Sequence, residues 1–354
     1  MTSARRGDRL QNVETRKLES TTGFVLYDLP DADSYVGPAR LGAKLAPGNA
    51  VMLIRALTYT FAVLEQKRSG ATIGLKVDPD QTEIAVVAAA KELSEELQSE
   101  KITFNPGLRL QREQILPLLE HDTRNKIGLD DRNGISFEDE LTGLGACAAV
   151  QATTGEIEGQ SFAIEGFNST GLGIAREIVA RGGIIKRIST AKGSVTGSFE
   201  PDTLADAWMS HGPGCTEQLG DIGKPWDIWK ADVDGIFVGS KPGAMAAQGA
   251  NSLESKVVVA TSPAAISSKA LAILRQNDAP AVADFIVNIG PVLSWFSQAD
   301  TTHDQLRSLT ETTISALMAD TMNHDDGPFL GACYKAESFL KTWQDPMPFG
   351  RPLG

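Results

Sequence analysis

The densest chemical signal in this 354-residue chain is the stretch AIEGFNSTGLGIA. Gly166 and Gly171 stand there in the frame G-x-x-x-x-G, directly after an apolar run and at the head of a helical pattern. A strand, tight turn and helix in that order present free backbone N–H groups and the positive end of a helix dipole to a pyrophosphate. Glycine at the middle position of such a fingerprint lets the backbone approach the phosphates, and here that position is Asn168. Asn tolerates left-handed dihedrals better than other side chains, but its amide still occupies space. Ser169 and Thr170 complete the turn. The plain alternative is a turn kept for packing alone. About 20 residues further on, a site preferring a free ribose 2′-hydroxyl places Asp or Glu. This chain has Thr190, with Arg187 and Lys192 close by. A 2′-phosphate would meet positive charge and no carboxylate, which favours NADP over NAD, unless the two basic residues are solvated surface charges.

Other chemistry-bearing residues carry less. Cys147, Cys215 and Cys333 are far apart and odd in number, so buried reduced thiols are expected in place of a disulfide framework or a metal knuckle. His211 and Cys215 sit in HGPGC, but with 4 His in the chain and no second ligand pair nearby this reads as a loop, with no metal assigned. A net charge of −12 repels phosphate backbones and anionic membranes, so neither nucleic acid nor membrane is expected as a partner. The opening MTSARRGDRLQNVETRK has Arg and Asp where a signal peptide has an apolar run, and no long apolar stretch follows; the expectation is a soluble cytoplasmic protein.

These residues need elements to position them. At 42% hydrophobic and 22% charged the chain is globular and long enough for two domains. Residues 1–22 are polar and expected to be flexible. In the part from 23 to 148, GFVLYDL and ATIGLKVDP read as strands, and YVGPARLGAKLAPG as loop with short extended segments. Asn49 to Lys67 and Gln81 to Ser99 read as helices, ITFNPGLRL as a strand or strand-to-loop element, and ILPLLEHDTRNKI as a helical piece. From 149 to 296 the pattern changes. Short apolar runs at GQSFAIEGF, GIIKRIS, DGIFVG, KVVVAT and DFIVNIG alternate with helix-length stretches, as in βαβ units whose strands are buried on both faces. Residues 297–354 carry two helical patterns expected to pack back on a domain, then a Pro- and Gly-rich tail. The fold class is therefore α/β: an N-terminal α/β domain for substrate and oligomerisation, a Rossmann-like doubly wound nucleotide domain, and C-terminal helices.

Taken together, FAIEGFNSTGLGIAREIVARGGIIKRISTAKGSV, DGIFVG, KVVVAT and ADFIVNIGPV resemble the nucleotide domain of the glutamate/leucine/phenylalanine/valine dehydrogenase superfamily. In the first domain GPARLGAKL and LIRALTYTFAVLEQKRSGATIGLKVDP resemble that family's Gly-Pro loop, MTxK helix and GGxKGG loop, and ELTGLGACAAVQA resembles its TGxG helix. The resemblance spans roughly 24 to 295 and implies a cleft between domains, a nicotinamide cofactor, a small-molecule substrate and a homo-oligomer assembled through the first domain. It also implies where the catalytic groups belong, and those have changed. The two lysine positions, twelve residues apart, are Thr60 and Thr72; the acid/base aspartate aligns with Pro106, beside Asn105; and the Asn of the GAN motif corresponds to Pro263. Thr142, Asp78, Asp284 and Asn288 persist as residues supporting the cleft and its hinge. Lys67, Arg68, His121, Asp122 and Arg124 are the nearest titratable residues, while Lys76 is expected to point away.

A Thr hydroxyl offers a neutral hydrogen bond of about 0.5–1.5 kcal/mol where a Lys offers a charge-assisted one of about 1.5–3. It also cannot act as a base at neutral pH. Two functions follow. One is an NAD(P)-dependent oxidoreductase with a neutral pocket lined by Thr60, Thr72 and Asn105 and no ordinary amino acid deamination. The other is a catalytically inactive ligand-binding or regulatory homologue, paired with an active partner.

Overall fold

A computed structural model describes residues 13–345 and 350–354, so the expected flexibility of residues 1–12 lies outside the described residues. The chain divides into two compact units, residues 1–123 with 335–352 and residues 124–334 with 353–354. This partition differs from boundaries at 148 and 296.

In the first unit, strands β1 (Glu14–Lys17), β2 (Gly23–Tyr27), β3 (Ser34–Leu41), β4 (Arg68–Leu75) and β5 (Ile102–Asn105) form one mixed sheet in the order β1-β2-β4-β3-β5. β3 runs parallel to β4 and β5, and β2 antiparallel to β1 and β4. Helix α1 (Val51–Val63) lies on one face, where Ala50, Val51 and Ile54 meet Phe24 and Leu26. Helix α2 (Thr82–Glu92) covers the other, where Ala85, Val86 and Ala89 meet Tyr35, Ala39, Leu41, Ala71, Ile73, Ile102 and Phe104. The period-2 alternation of those strand residues decides which side chains reach each face.

Three local readings change. Residues 14–17 are not frayed: Arg16 reaches Glu96 at 2.6 Å and the segment pairs with β2, so a polar edge strand is held by its backbone ladder. SYVGPARL is one eight-residue strand, longer than its Gly and Pro imply. Pro38 is tolerated because its missing N–H falls on the β4 side, where the β3–β4 ladder is interrupted between the Val36–Gly70 and Ala39–Ile73 pairs. Finally, 81–99 is two helices, α2 and α3 (Ser94–Gln98), and the helical piece after β5 is a 3-10 turn over Arg112–Leu119 that stops before His121.

The second unit opens with α4 (Phe137–Thr154), whose Ser136 cap accepts from the Asp139 N–H at 3.1 Å. It then alternates strand and helix: β6 (Ser161–Glu165), α5 (Ser169–Ala180), β7 (Ile184–Ser189), β8 (Ser194–Thr196), α6 (Pro201–His211), β9 (Ile222–Gly223), β10 (Gly235–Val238), α7 (Ala247–Ser252), β11 (Val257–Ala260), α8 (Ser268–Gln276) and β12 (Ala281–Val282). The sheet order is β12-β11-β10-β6-β7-β8-β9, parallel from β12 to β7 and antiparallel through β8 and β9. β10 and β11 are buried along their whole length, as parallel strands covered on both faces must be. From β6 the chain winds to β7 on one side and later to β10 on the other, so the carboxyl ends of β6 and β10 form the topological switch point where open α/β sheets bind ligands.

The run DFIVNIG, expected as a strand, instead forms α9 (Asp284–Val287) and the start of α10 (Ile289–Trp295), because only Ala281 and Val282 pair with β11 before the chain turns into helix. A short, wholly buried apolar run has no periodicity to separate the two outcomes. Helix α4 belongs wholly to this unit: a side chain at Gly143 would collide with the Gly173 backbone of α5, so the two helices cross at glycine-to-glycine distance. Helices α11 (His303–Thr321) and α12 (Pro328–Leu340) follow, as the C-terminal patterns predict. Cys147, Cys215 and Cys333 are all buried.

Candidate functional site

At the switch point Gly166 has φ 78°, and a side chain there would collide with the Ser240 backbone. Glycine is therefore required for the turn after β6 to pass the loop after β10. Glu165, the last residue of β6, ties the same loop down: its carboxylate accepts from the Gly239 and Ser240 N–H groups, each at 3.1 Å, and from Ser240 Oγ at 2.5 Å. Asn168 is extended (φ −157°, ψ −163°) and not left-handed. Its Oδ1 accepts from the Gly171 N–H at 2.9 Å, which makes it the N-cap of α5, one of the best residues for that role. The cap fills one of the first donors of the helix. The Ser169 and Thr170 N–H groups, first in the helix, have no acceptor within it. Thr170 Oγ1 donates to Asp139 on α4 at 2.5 Å, and a Cβ at Gly171 would press on Phe167 and Ile164. A helix start of this kind receives anions.

The three residues expected at the ribose end lie within and just past β7. Thr190 is buried; its hydroxyl donates to the Pro213 carbonyl at 2.6 Å and lies 3.2 Å from Thr216 Oγ1. The HGPGC loop therefore packs on the end of β7 through Thr190, with Cys215 buried and His211 exposed. Arg187 donates to the Asp227 carbonyl at 2.9 Å from within the strand. Lys192 is exposed in the tight turn that joins β7 to β8, where the Thr190 N–H reaches the Gly193 carbonyl.

Beyond β11 a buried polar cluster forms. Thr142 Oγ1 on α4 lies 3.4 Å from Asn288 Oδ1, and Asn288 Nδ2 donates to the Asp284 carbonyl at 2.9 Å and lies 3.4 Å from the Thr261 carbonyl. Asp284 is fully buried, and its pKa is pushed up to about 8 by desolvation, against hydrogen bonds from its own N–H and that of Ala264. Ala264 holds a left-handed φ of 53°, and both Asp284 Oδ1 and Ser262 Oγ are buried without a hydrogen-bond partner among the described residues. Pro263 sits half-buried in the same loop.

In the first unit the hydroxyls of the two threonines turn inward. Thr60 donates to the Ala56 carbonyl within α1 at 3.2 Å, and Thr72 to the Pro38 carbonyl at 2.6 Å. Asn105 and Pro106 are half-buried at the end of β5. Alternation places Thr72 and Asn105 on the α1 face of the sheet. That face is not neutral. Arg40 projects from it, paired in register with Gly74, and its Nη1 is buried with no hydrogen-bond partner among the described residues. Desolvation lowers the Arg40 pKa. Lys76, expected to point away, is two residues past Gly74 and shares this face. Lys67 and Arg68 stand instead at the amino end, where Lys67 lies 3.4 Å from Asp33 and Arg68 donates to Ser34 Oγ at 2.8 Å. His121 is exposed, as is Asp78. Sequence reasoning missed Arg40 and Glu165. The signal for each was a charge inside or ending an otherwise apolar extended run, SYVGPARL and SFAIE.

A two-unit α/β chain whose second unit is a parallel, doubly wound sheet with a glycine turn at its switch point has the dehydrogenase fold. No protein-family model and no curated protein matches the sequence. Among solved structures, the hetero-hexameric glutamate dehydrogenase of Thermus thermophilus in its leucine-bound form superposes with TM-score 0.76 at 16% identity, over 94% of this chain and 88% of that one. Glutamate dehydrogenase 2 of Plasmodium falciparum gives 0.72 at 13% identity over 93% and 84%. L-tryptophan dehydrogenase of Nostoc punctiforme gives 0.64 at 12% over 93% and 96%. Likeness at such identities establishes the fold.

Proposed function

We propose that the chain is an NAD(P)-dependent oxidoreductase, a divergent relative of the amino acid dehydrogenases, acting on a small molecule by a route other than ordinary amino acid deamination. The observation that carries this reading is the open start of α5 at the switch point. Gly166 permits the turn, the Ser169 and Thr170 N–H groups are available to a pyrophosphate, and Gly171 seats the helix on the strand. Asn168 fits with one donor fewer, since its amide occupies the Gly171 N–H. Lys192 is an exposed cation in the β7–β8 turn, where its N–H donates to Thr190 Oγ1, while Arg187 within β7 is held by the Asp227 carbonyl. Asn288 and Thr142 line the loop side beyond β11.

A nicotinamide dinucleotide supplies the hydride donor or acceptor. What the protein must add is positioning, which survives the loss of lysines at 60 and 72. Deamination needs a base, and the inward-turned hydroxyls of Thr60 and Thr72 cannot serve as one. Glutamate, leucine, valine and phenylalanine are therefore expected to show no turnover with either dinucleotide; robust turnover of any one defeats the reading of the first unit.

Titrating the full chain with NADPH and NADH, followed by nicotinamide fluorescence, tests the proposal. Saturable binding of at least one is expected. Failure of both to bind overturns it in favour of an inactive ligand-binding or regulatory homologue, a reading supported by the Asn168 cap and the internally bonded threonines. Self-association through the first unit belongs to the same proposal. Ile84 (75% exposed) and Val87 (50%) share the outer side of α2, with Leu116 (52%) on the adjoining 3-10 turn, an apolar patch that a second copy can cover. No helix among the described residues is long and apolar enough to cross a membrane.

A further inference from the structure

We propose that the carboxyl-end corner of the first unit's sheet, built by Arg40, Lys76 and Arg109 with Lys44 beside them, binds the phosphoryl group of a small-molecule ligand.

The placement follows from the backbone. Arg40 of β3 lies opposite Gly74 of β4, and the ladder continues one step past the strands: Leu41 pairs with Leu75, and the Gly42 N–H donates to the Leu75 carbonyl at 3.0 Å. Alternation therefore puts position 42 on the same face as Arg40, with Lys76 across from it. Position 42 has no side chain, and its place is taken by another residue. Arg109 Nη1 lies 3.9 Å from where a Gly42 Cβ would stand. The loop that carries Arg109 is tied to this corner by the Leu41 N–H to Leu108 carbonyl bond at 2.9 Å, and Arg109 holds a left-handed φ of 60°. Lys44 belongs to the turn closed by the Leu45 N–H to Gly42 carbonyl bond at 3.0 Å.

Three chain segments thus deliver four basic residues to one corner of a protein whose net charge is −12. None of the four forms an ion pair with a carboxylate among the described residues, whereas the buried Arg55 has Asp28 and the partly buried Arg307 has Glu177. Arg40 is the innermost, and its buried Nη1 has no acceptor among the described residues. A guanidinium desolvated without an acceptor is costly unless an anion completes it. A carboxylate has one charge and two oxygens, which a single guanidinium satisfies. A phosphoryl dianion spreads its charge over three oxygens, which suits a corner with two forked guanidinium groups and two ammonium groups. Thr72 and Asn105 lie further in on the same face, where the remainder of the ligand would extend.

This inference rests on the oxidoreductase reading only in taking the ligand to be the reactant. The test is calorimetric titration of the full chain, without dinucleotide, with inorganic phosphate, malonate and acetate at one fixed ionic strength. Phosphate is expected to bind about tenfold more tightly than acetate. Arg109→Gln, on an exposed loop where folding is not at risk, and Arg40→Gln should each weaken phosphate by roughly tenfold, while Lys269→Gln, exposed in the other unit, leaves it unchanged. Asn168→Asp puts a carboxylate at the α5 turn and is expected to lower dinucleotide binding without altering phosphate. Phosphate binding abolished by Asn168→Asp but untouched by the two arginine variants would place the anion at the helix start and overturn the inference. Malonate binding as tightly as phosphate would overturn the phosphoryl assignment. Dinucleotide binding with no phosphate binding defeats this inference alone; phosphate binding with no dinucleotide binding defeats the oxidoreductase reading alone.

Discussion

Replacing Asp284 with Asn should make the protein more stable at neutral pH, by an amount that grows with pH. The carboxyl group is fully buried with one oxygen unpartnered, and its pKa rises from 3.8 to about 8. Because the folded value exceeds the unfolded one, the folded protein holds a proton between these limits that the unfolded chain releases. The stability this proton contributes is complete below pH 3.8 and is lost as pH rises through about 8. Each pH unit in that window corresponds to about 1.4 kcal/mol, so at pH 7 the cost of burying Asp284 is on the order of 4 kcal/mol. Asn has the same shape, keeps one oxygen for the Ala264 N–H and does not titrate. Scanning calorimetry of parent and Asp284→Asn from pH 5 to 9, reading the transition of the unit that contains α9, should show the variant gaining on the parent up to about pH 8 and a constant gap above it. A gap that does not change with pH refutes the argument, since it would mean that Asp284 is already ionised in the fold.

Three other expectations follow from particular contacts. Asn168→Gly removes the α5 cap at a cost of a few tenths of a kcal/mol and frees the Gly171 N–H, so dinucleotide binding by fluorescence should hold or tighten; abolished binding would make Asn168 a ligand itself. Lys192→Gln should reduce any preference for NADP over NAD by several-fold at most, about 1 kcal/mol for an exposed charge, and a parent that prefers NAD tenfold shows that Lys192 faces elsewhere. Asp28→Ala leaves the Arg55 guanidinium buried without its 2.6 Å partner and should destabilise the first unit by about 3–5 kcal/mol in denaturant unfolding, with near-parental stability as the contrary result.

Periodicity and punctuation in the sequence were enough for the class of fold. Apolar runs of strand length separated by helical patterns imply a parallel sheet whatever the partners, because strands buried on both faces must be apolar throughout. The strand, turn and helix around Gly166 and Gly171 were legible for the same local reason. Tertiary structure decided the rest. Whether DFIVNIG became strand or helix depended on how far β12 could pair with β11, and whether Pro38 broke a strand depended on a gap in the β3–β4 ladder at that position. Asn168 appeared as a damaged glycine and proved to be a helix cap, since the identity of a cap depends on which N–H its side chain reaches. Thr72 and Arg40 are 32 positions apart in sequence yet share one face, because strand register and alternation bring them together. No local pattern contains that register, and the charge of the site depends on it.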